Sequence, residues 1–298
     1  MTMNEWLFPR GSLTRGPWES VVDASLPGWK FTGLRVAELD GEIELPVASV
    51  ERMIVPLAGA FDVVSGSDRW HLGWRTSVFD GPTDVLYLGF GTPGRIEGAG
   101  RIAIAEAAAT VILPPSYLSR SDVPVEIRGA GRSTRQVHNF GTPGTPGALP
   151  AQNLIVCEVI TPAENWSSYP AHKHDQATGS ESQLEEIYYF ESAVGRGLPV
   201  PADAAPFGLF TTYSSPAGEI DTSGSVTTGD VALVPFGYHG PAAAAPGYDL
   251  YYLNVMAGPD PERAWRISDD PAHRWVRNTW SDQRPDPRLP YLSKEQHA

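Results

Sequence analysis

Residues 165–191 read NWSSYPAHKHDQATGSESQLEEIYYFE, and the fold turns on this stretch. Two histidines, His172 and His174, stand one residue apart. In a strand, residues i and i+2 point to the same face, so both imidazoles can aim into one cavity. A carboxylate pair, Glu185 and Glu186, opens the apolar run Ile187-Tyr188-Tyr189-Phe190. Much later a single histidine, His239, sits in the Gly-rich turn VPFGYHG. A glutamate from the next strand and a histidine from a later one would complete a site of three imidazoles and one carboxylate. That donor set suits zinc, manganese, iron or nickel and offers no soft thiolate. A lone His-x-His says little. Joined to a strand-leading Glu and a Gly-Tyr-His turn, it points to bound metal.

Composition agrees with a chain of short strands. The 298 residues include 30 Gly and 28 Pro, and strings of good helix formers are scarce. The net charge is −13, with no basic stripe, which argues against nucleic-acid binding. The single cysteine, Cys157, lies in the apolar run 154–157 and reads as a small buried residue. No run is long and apolar enough to span a bilayer, and no signal peptide is evident, so no membrane partner and a cytoplasmic location are expected. The sequon Asn165-Trp166-Ser167 then reads as a chance match.

Taken in order, residues 1 to about 30 read as an arm packed on the body. Strands are expected at 53–57, 61–64, 77–79, 85–90, 101–104, 110–113 and 125–127. The segment GFGTPG at 89–94 fits a dinucleotide fingerprint in letters only. No helix opens after it, and another turn and strand follow, so a turn is expected. The segment GTPGTPG at 141–147 is the best linker and divides the chain into near-equal halves. Strands are then expected at 153–160, 186–190, 207–213, 226–228, 231–235 and 249–256. The last is continuously apolar, as in a strand buried on both sides. Short helices are expected near 261–266 and 270–275, and a loose tail from Gln283. A faint echo between the halves suggests duplication. The first half has no His-x-His, and His71 reads as structural, as do His138, His273 and His297.

Short strands with His-x-His, a downstream Glu and a later His resemble the cupin fold. Cupins usually leave three or four residues between the second His and the Glu. Here 176–184 intervene, so a loop must bulge from the barrel mouth. The blocks NWSSYPAHKHD, LEEIYYF, GDVALVPFGYHGPAAAAPGYDLYYLNVMAGP and DDPAHRW resemble the 5-deoxy-glucuronate isomerase family of bacterial myo-inositol catabolism. The resemblance covers most of 50–280 and is densest from Arg135 onward. It implies an all-β fold of two tandem cupin barrels with a few short helices. Residues 1–140 would form an N-terminal barrel without a metal site, and 148–298 a C-terminal barrel with one. It also implies an aldose–ketose isomerase that converts 5-deoxy-D-glucuronate to 5-dehydro-2-deoxy-D-gluconate. By analogy the ligands fall on His172, His174, one Glu of the 185–186 pair and His239. The cupin pattern places the ligand directly before the apolar residues, which favours Glu186. The sequence departs from the family at 207–213, where Phe and Thr replace expected Gln and Arg, and at Phe236 and Gly240.

The chemistry that follows uses a divalent cation, zinc first and manganese or iron otherwise, to polarise a sugar carbonyl. A carboxylate base, Glu185, would transfer the carbon-bound proton through an enediol. Arg135 and Lys173 are candidates for the substrate carboxylate. Tyr188, Tyr238, Tyr251 and Tyr252 are candidates for its hydroxyls. The partner expected is a small-molecule sugar acid, with a homo-oligomer the expected assembly. The alternatives are a metal-dependent cupin oxygenase and a non-catalytic sugar-binding bicupin.

Overall fold

The computed structural model describes residues 5–292. Its strands lie in three sheets among the described residues. The N-terminal sheet runs Ser20–Val22, Thr32–Leu45, Gly94–Ala108, Val50–Ser65, Val85–Leu88 and Ser116–Leu118, with Asp68–Arg75 paired to Val50–Ser65. The second sheet is centred on Glu185–Val194, which lies between Val231–Val234 and Tyr248–Ala257. Ile155–Thr161, Arg135–Gly141 and Val125–Arg128 continue it. The third is centred on Tyr238–Ala244, with Gly208–Ser215 and the short strand His172–Lys173 on its two sides. This is the expected all-β pair of cupin barrels.

Three apolar layers hold the molecule. The second and third sheets enclose a lumen of Tyr188, Phe190, Tyr252, Phe210, Val226 and Ala242. The N-terminal sheet curls around Ile54, Phe61, Leu86, Ile96 and Ile104. Between the barrels, Met53, Val55 and Ala105 belong to the same core as Ile187, Tyr189, Leu253 and Val255. Glu185–Val194 and Tyr248–Ala257 therefore send alternate residues into the lumen and into the seam. A strand covered on both faces needs apolar residues at both parities, hence the unbroken run at 249–256. Cys157 is fully buried and free, and burial pushes its thiol pKa up to about 12, as befits a packing residue.

Some expected elements differ. Segments 53–57 and 61–64 are one strand, Val50–Ser65, whose pairings shift register between Pro56 and Ala58 and between Gly59 and Phe61. Gly59 has φ +97°, and a Cβ there would lie 2.1 Å from the Ala99 carbonyl oxygen, so this close approach requires glycine. Segment 77–79 is a 3-10 turn, Val78–Asp80, closed by a capping box from Ser77 to Asp80. Segment 110–113 forms no strand, and its first two N–H groups donate to the Gln152 side chain. Segment 89–94 is a turn, with Thr92 N–H donating to Gly89 O. No helix forms at 261–266, and a 3-10 helix, Arg274–Asp282, takes the place of 270–275. Thr32–Leu45 and Arg135–Gly141 were not expected as strands. His71 is exposed and paired with Asp62 at 2.8 Å. His297 lies outside the described residues.

The Gly/Pro segment 141–147 is not where the sheets divide. Arg135–Gly141 pairs antiparallel with Ile155–Thr161, so the segment lies in the loop between two strands of one sheet. The sheets divide earlier, between Leu118 and Val125. The N-terminal arm crosses as well, since Leu7 and Phe8 pair with Ala232 and Val231. Residues 284–292 are docked rather than loose, and the rest of the expected tail lies outside the described residues. Tyr291 is buried, and its N–H donates to Gln136 Oε1 at 2.6 Å.

The seam also buries charge. Glu158 accepts from Arg75 at 2.5 Å, lies 2.9 Å from His138 Nδ1 and accepts from Tyr251 at 2.7 Å. Burial opposes its ionisation, but Arg75 and His138 outweigh that and hold its pKa at about 2, against an ordinary 4.5. A carboxyl lowered in the fold stabilises above its unfolded pKa, and that stability is lost as pH falls through the folded one. Arg75→Met should cost about 3–5 kcal/mol at neutral pH, because it strands a buried carboxylate. In urea melts, the gap to the parent should narrow as pH falls from 4.5 toward 2.

Candidate functional site

The three histidines meet at one end of the C-terminal barrel. His172 and His239 are directly opposed across neighbouring antiparallel strands. Their ring centroids are 4.4 Å apart, and those of His174 and His239 are 4.7 Å apart. One nitrogen from each of His172, His174 and His239 falls within a 4.8 Å cluster. Glu186 comes from the facing sheet. Its Oε2 lies 2.9 Å from His174 Nε2 and 3.1 Å from His239 Nε2. All four side chains are buried.

Two of the four groups, His172 and Glu186, are held in the state that ligates. Burial, then His239 and His174, drives the His172 pKa far down, so its imidazole is neutral with a free lone pair. Burial opposes ionisation of Glu186, but His174 and His239 outweigh it and hold its pKa at about 2. Burial also works against a charged His174, yet Glu186 raises its pKa. His174 Nδ1 lies 3.1 Å from Leu184 O, and His239 Nδ1 lies 3.2 Å from Gly237 O. A carbonyl on Nδ1 fixes the tautomer and leaves Nε2 to ligate. His172 Nδ1, His239 Nε2 and Glu186 Oε1 are buried without a hydrogen-bond partner. Each such atom costs about 1–3 kcal/mol. Three together, all Lewis-basic, fit a divalent cation.

Glu185 does not share this cavity. It points to the seam, where its carboxylate accepts from Lys30 N–H at 3.1 Å, Phe31 N–H at 2.5 Å and Thr32 N–H at 2.6 Å. The Thr32 hydroxyl adds a fourth bond at 3.0 Å. A carboxylate so occupied is a tether between barrels, and the expected base role lacks the geometry. Lys173 is also directed elsewhere, with its ammonium 2.7 Å from both Asp175 and Glu181.

Beside His172 opens a cavity of about 190 Å³. Arg135 and Tyr188 line it, as does Tyr252. Tyr251 faces the seam and donates to Glu158, and Tyr238 stacks on Tyr213 at 5.3 Å, so neither lines it. Residues not foreseen also reach it, among them Ser168, Asn254, Trp265, Arg128 and Arg277. Asn254 carried a signal, being a polar residue two after Tyr252 in an apolar strand. The two arginines come from distant segments and carried none. Arg128 pairs with Glu126 at 2.7 Å and Arg277 with Asp269 at 2.5 Å. Arg135 has no carboxylate partner among the described residues. Its guanidinium donates to Ser133 O and lies 5.6 Å from the Trp280 ring centroid. Burial pushes its pKa down to about 10, with Arg128 and Arg277 adding to the effect.

Residues 6–276 match the KduI/IolB family. The chain is 38% identical over 273 residues to a 5-deoxy-glucuronate isomerase of Geobacillus kaustophilus, covering 89% of this chain and 91% of that one. It is 34% identical to the 5-deoxy-glucuronate isomerase of Listeria monocytogenes, covering 92% and 96%. Among solved structures, an IolB-like protein from Salmonella typhimurium aligns with a TM-score of 0.80 at 33% identity, covering 91% of this chain and 99% of that one. An oxalate decarboxylase from Lactobacillus farciminis aligns at 0.61 with 12% identity, covering 90% and 89%, a likeness of fold alone.

The two glutamates should separate cleanly on substitution. Glu186→Gln should lower metal affinity by about 10- to 100-fold, since it removes the carboxylate that lies 2.9 and 3.1 Å from two of the imidazoles. Glu185→Gln should keep metal within about tenfold yet lower stability by about 1–3 kcal/mol, because its amide N–H groups would face N–H donors. Metal content by mass spectrometry and thermal melts on the same samples check both.

Proposed function

The chain belongs to the KduI/IolB family, and on that premise we propose that it is an aldose–ketose isomerase converting 5-deoxy-D-glucuronate to 5-dehydro-2-deoxy-D-gluconate. The observation that carries this is the meeting of a metal-type donor set with a cavity whose free polar groups are donors. Asn254 Nδ2 and Trp265 Nε1 are buried without acceptors, and Arg135 has no carboxylate partner among the described residues. Donors of this kind match a ligand rich in acceptors and carrying a negative charge, as a sugar acid does.

A divalent cation held by His172, His174, His239 and Glu186, zinc first and manganese or iron otherwise, would supply Lewis acidity toward a carbonyl and its neighbouring hydroxyl. Arg135 would hold the substrate carboxylate through its guanidinium fork. Asn254 and Trp265 would donate to sugar oxygens. Tyr188 and Tyr252 bring phenols whose pKa burial raises, so both keep their protons and can donate. Val137 and Val159 give the cavity an apolar wall. Phe210, in the segment that departs from the family, packs 4.7 Å from the Tyr188 ring and narrows the lumen.

Purified protein incubated with 5-deoxy-glucuronate should form the ketose without oxygen, with metal content measured on the same sample. A strict need for oxygen would instead mean an oxygenase. Arg135→Met should raise KM for the uronate about tenfold or more, while metal content stays full. That follows from losing charged hydrogen bonds worth about 1.5–3 kcal/mol. Arg135→Lys should recover part of the loss.

A further inference from the structure

We propose that Ser168 is a positioning residue, joining Tyr188 and Tyr252 into a hydroxyl relay that carries the oxygen-bound proton of the isomerisation. This rests on the isomerase function above.

Three observations meet at Ser168. Its φ is +45°, in the left-handed region that side-chain-bearing residues avoid. Its Oγ lies 3.0 Å from Tyr188 Oη and 3.4 Å from Tyr252 Oη. All three residues line the cavity beside His172. The surrounding backbone holds the conformation in place. Gly240, itself at φ +97°, comes so close that a Cβ there would lie 1.8 Å from Ser168 O. A turn that needed only positive φ would be better served by glycine. A serine at this position points to a use for its hydroxyl, and such outliers cluster where geometry serves function.

The chemistry has a task for it. Aldose–ketose isomerisation moves two hydrogens. One C–H bond breaks at the hydroxyl-bearing carbon, and one forms at the former carbonyl carbon. One O–H bond breaks at the hydroxyl oxygen, and one forms at the former carbonyl oxygen. The second transfer links neighbouring oxygens and needs groups that accept on one side while donating on the other. A hydroxyl does both, giving up its own proton as it takes one, so no relay member changes charge. Ser168 Oγ reaches both phenol hydroxyls, Tyr188 Oη at 3.0 Å and Tyr252 Oη at 3.4 Å. It acts through them.

Ser168→Gly and Ser168→Ala test the proposal, with melting temperature, metal content, kcat, KM and the solvent deuterium isotope effect measured for each. Ser168→Gly should melt at or above the parent, because glycine relieves the strained φ. It should keep its metal and hold KM within about twofold. Its kcat should fall about 10- to 100-fold, with a larger isotope effect than the parent, as expected when acid–base alignment is lost. Ser168→Ala should show the same loss of kcat without the gain in melting temperature. A parent that isomerises the uronate, with both variants within twofold of its kcat, would overturn the relay alone. A loss of kcat that tracks loss of metal or of melting temperature would also overturn it, in favour of a purely structural serine. A metal-loaded parent that isomerises no uronate would overturn the isomerase assignment, and the relay with it.

Discussion

Everything at this site depends on the two-residue period of a strand buried on both faces. Glu185 and Glu186 are neighbours, so one must face the lumen and the other the seam. Glu186 meets His174 and His239, and Glu185 meets the backbone at 30–32. The same alternation sends Tyr188 inward and Tyr189 outward, and Tyr252 inward and Tyr251 outward. A slip of one residue would exchange every member of these pairs. The seam therefore does more than join the barrels. By binding Glu185 through four hydrogen bonds, the N-terminal barrel fixes the register of the strand that carries Glu186.

Buried acids among the described residues are matched by cations or by N–H and O–H donors. In the seam, Glu158 has Arg75, His138 and Tyr251, and in the N-terminal sheet Glu106 has Arg35 at 3.0 Å and Arg52 at 2.8 Å. Each acid is matched, because an unmatched buried charge costs several kcal/mol. At the cavity the balance shifts. Arg128 and Arg277 have their own carboxylates, and the buried Arg135 has none among the described residues. Its lowered pKa of about 10 reflects burial first and its two cationic neighbours next, yet it remains charged at neutral pH. Under the proposed function, an anionic substrate would complete this arrangement of an unmatched guanidinium beside a metal-type donor set.

The fold and the donor set were legible in the sequence because each left a periodic or local mark. His-x-His states its shared face directly, and the unbroken apolar run at 249–256 states burial on both sides. What stayed hidden depends on contacts between distant segments. Nothing local to 141–147 distinguishes a loop between paired strands from a linker between domains, since both use Gly and Pro. Only the pairing of Gln136 with Ile160 decides it. The choice between Tyr251 and Tyr252 turned on the parity of one strand, which became readable once Glu186 was placed. Arg128 and Arg277 enter the cavity by folding alone. Glu185 misled for a chemical reason: a carboxylate beside a ligand looks like a base until its acceptors are seen to be occupied by backbone N–H groups.

The long excursion between His174 and Glu185 can now be given a physical account. A loop this long at a barrel mouth pays for its order in conformational entropy, and the histidine at its start would inherit that mobility. Lys173 prevents this. Pointing away from the metal donors, it holds Asp175 and Glu181 at 2.7 Å each, and so closes the loop on itself. Asp175 also accepts from Gly237 N–H at 2.9 Å, in the turn that presents His239. A single buried ion cluster thus links the segment bearing His172 and His174 to the turn bearing His239. The lysine between the two histidines is an internal tie, neutralised by two carboxylates.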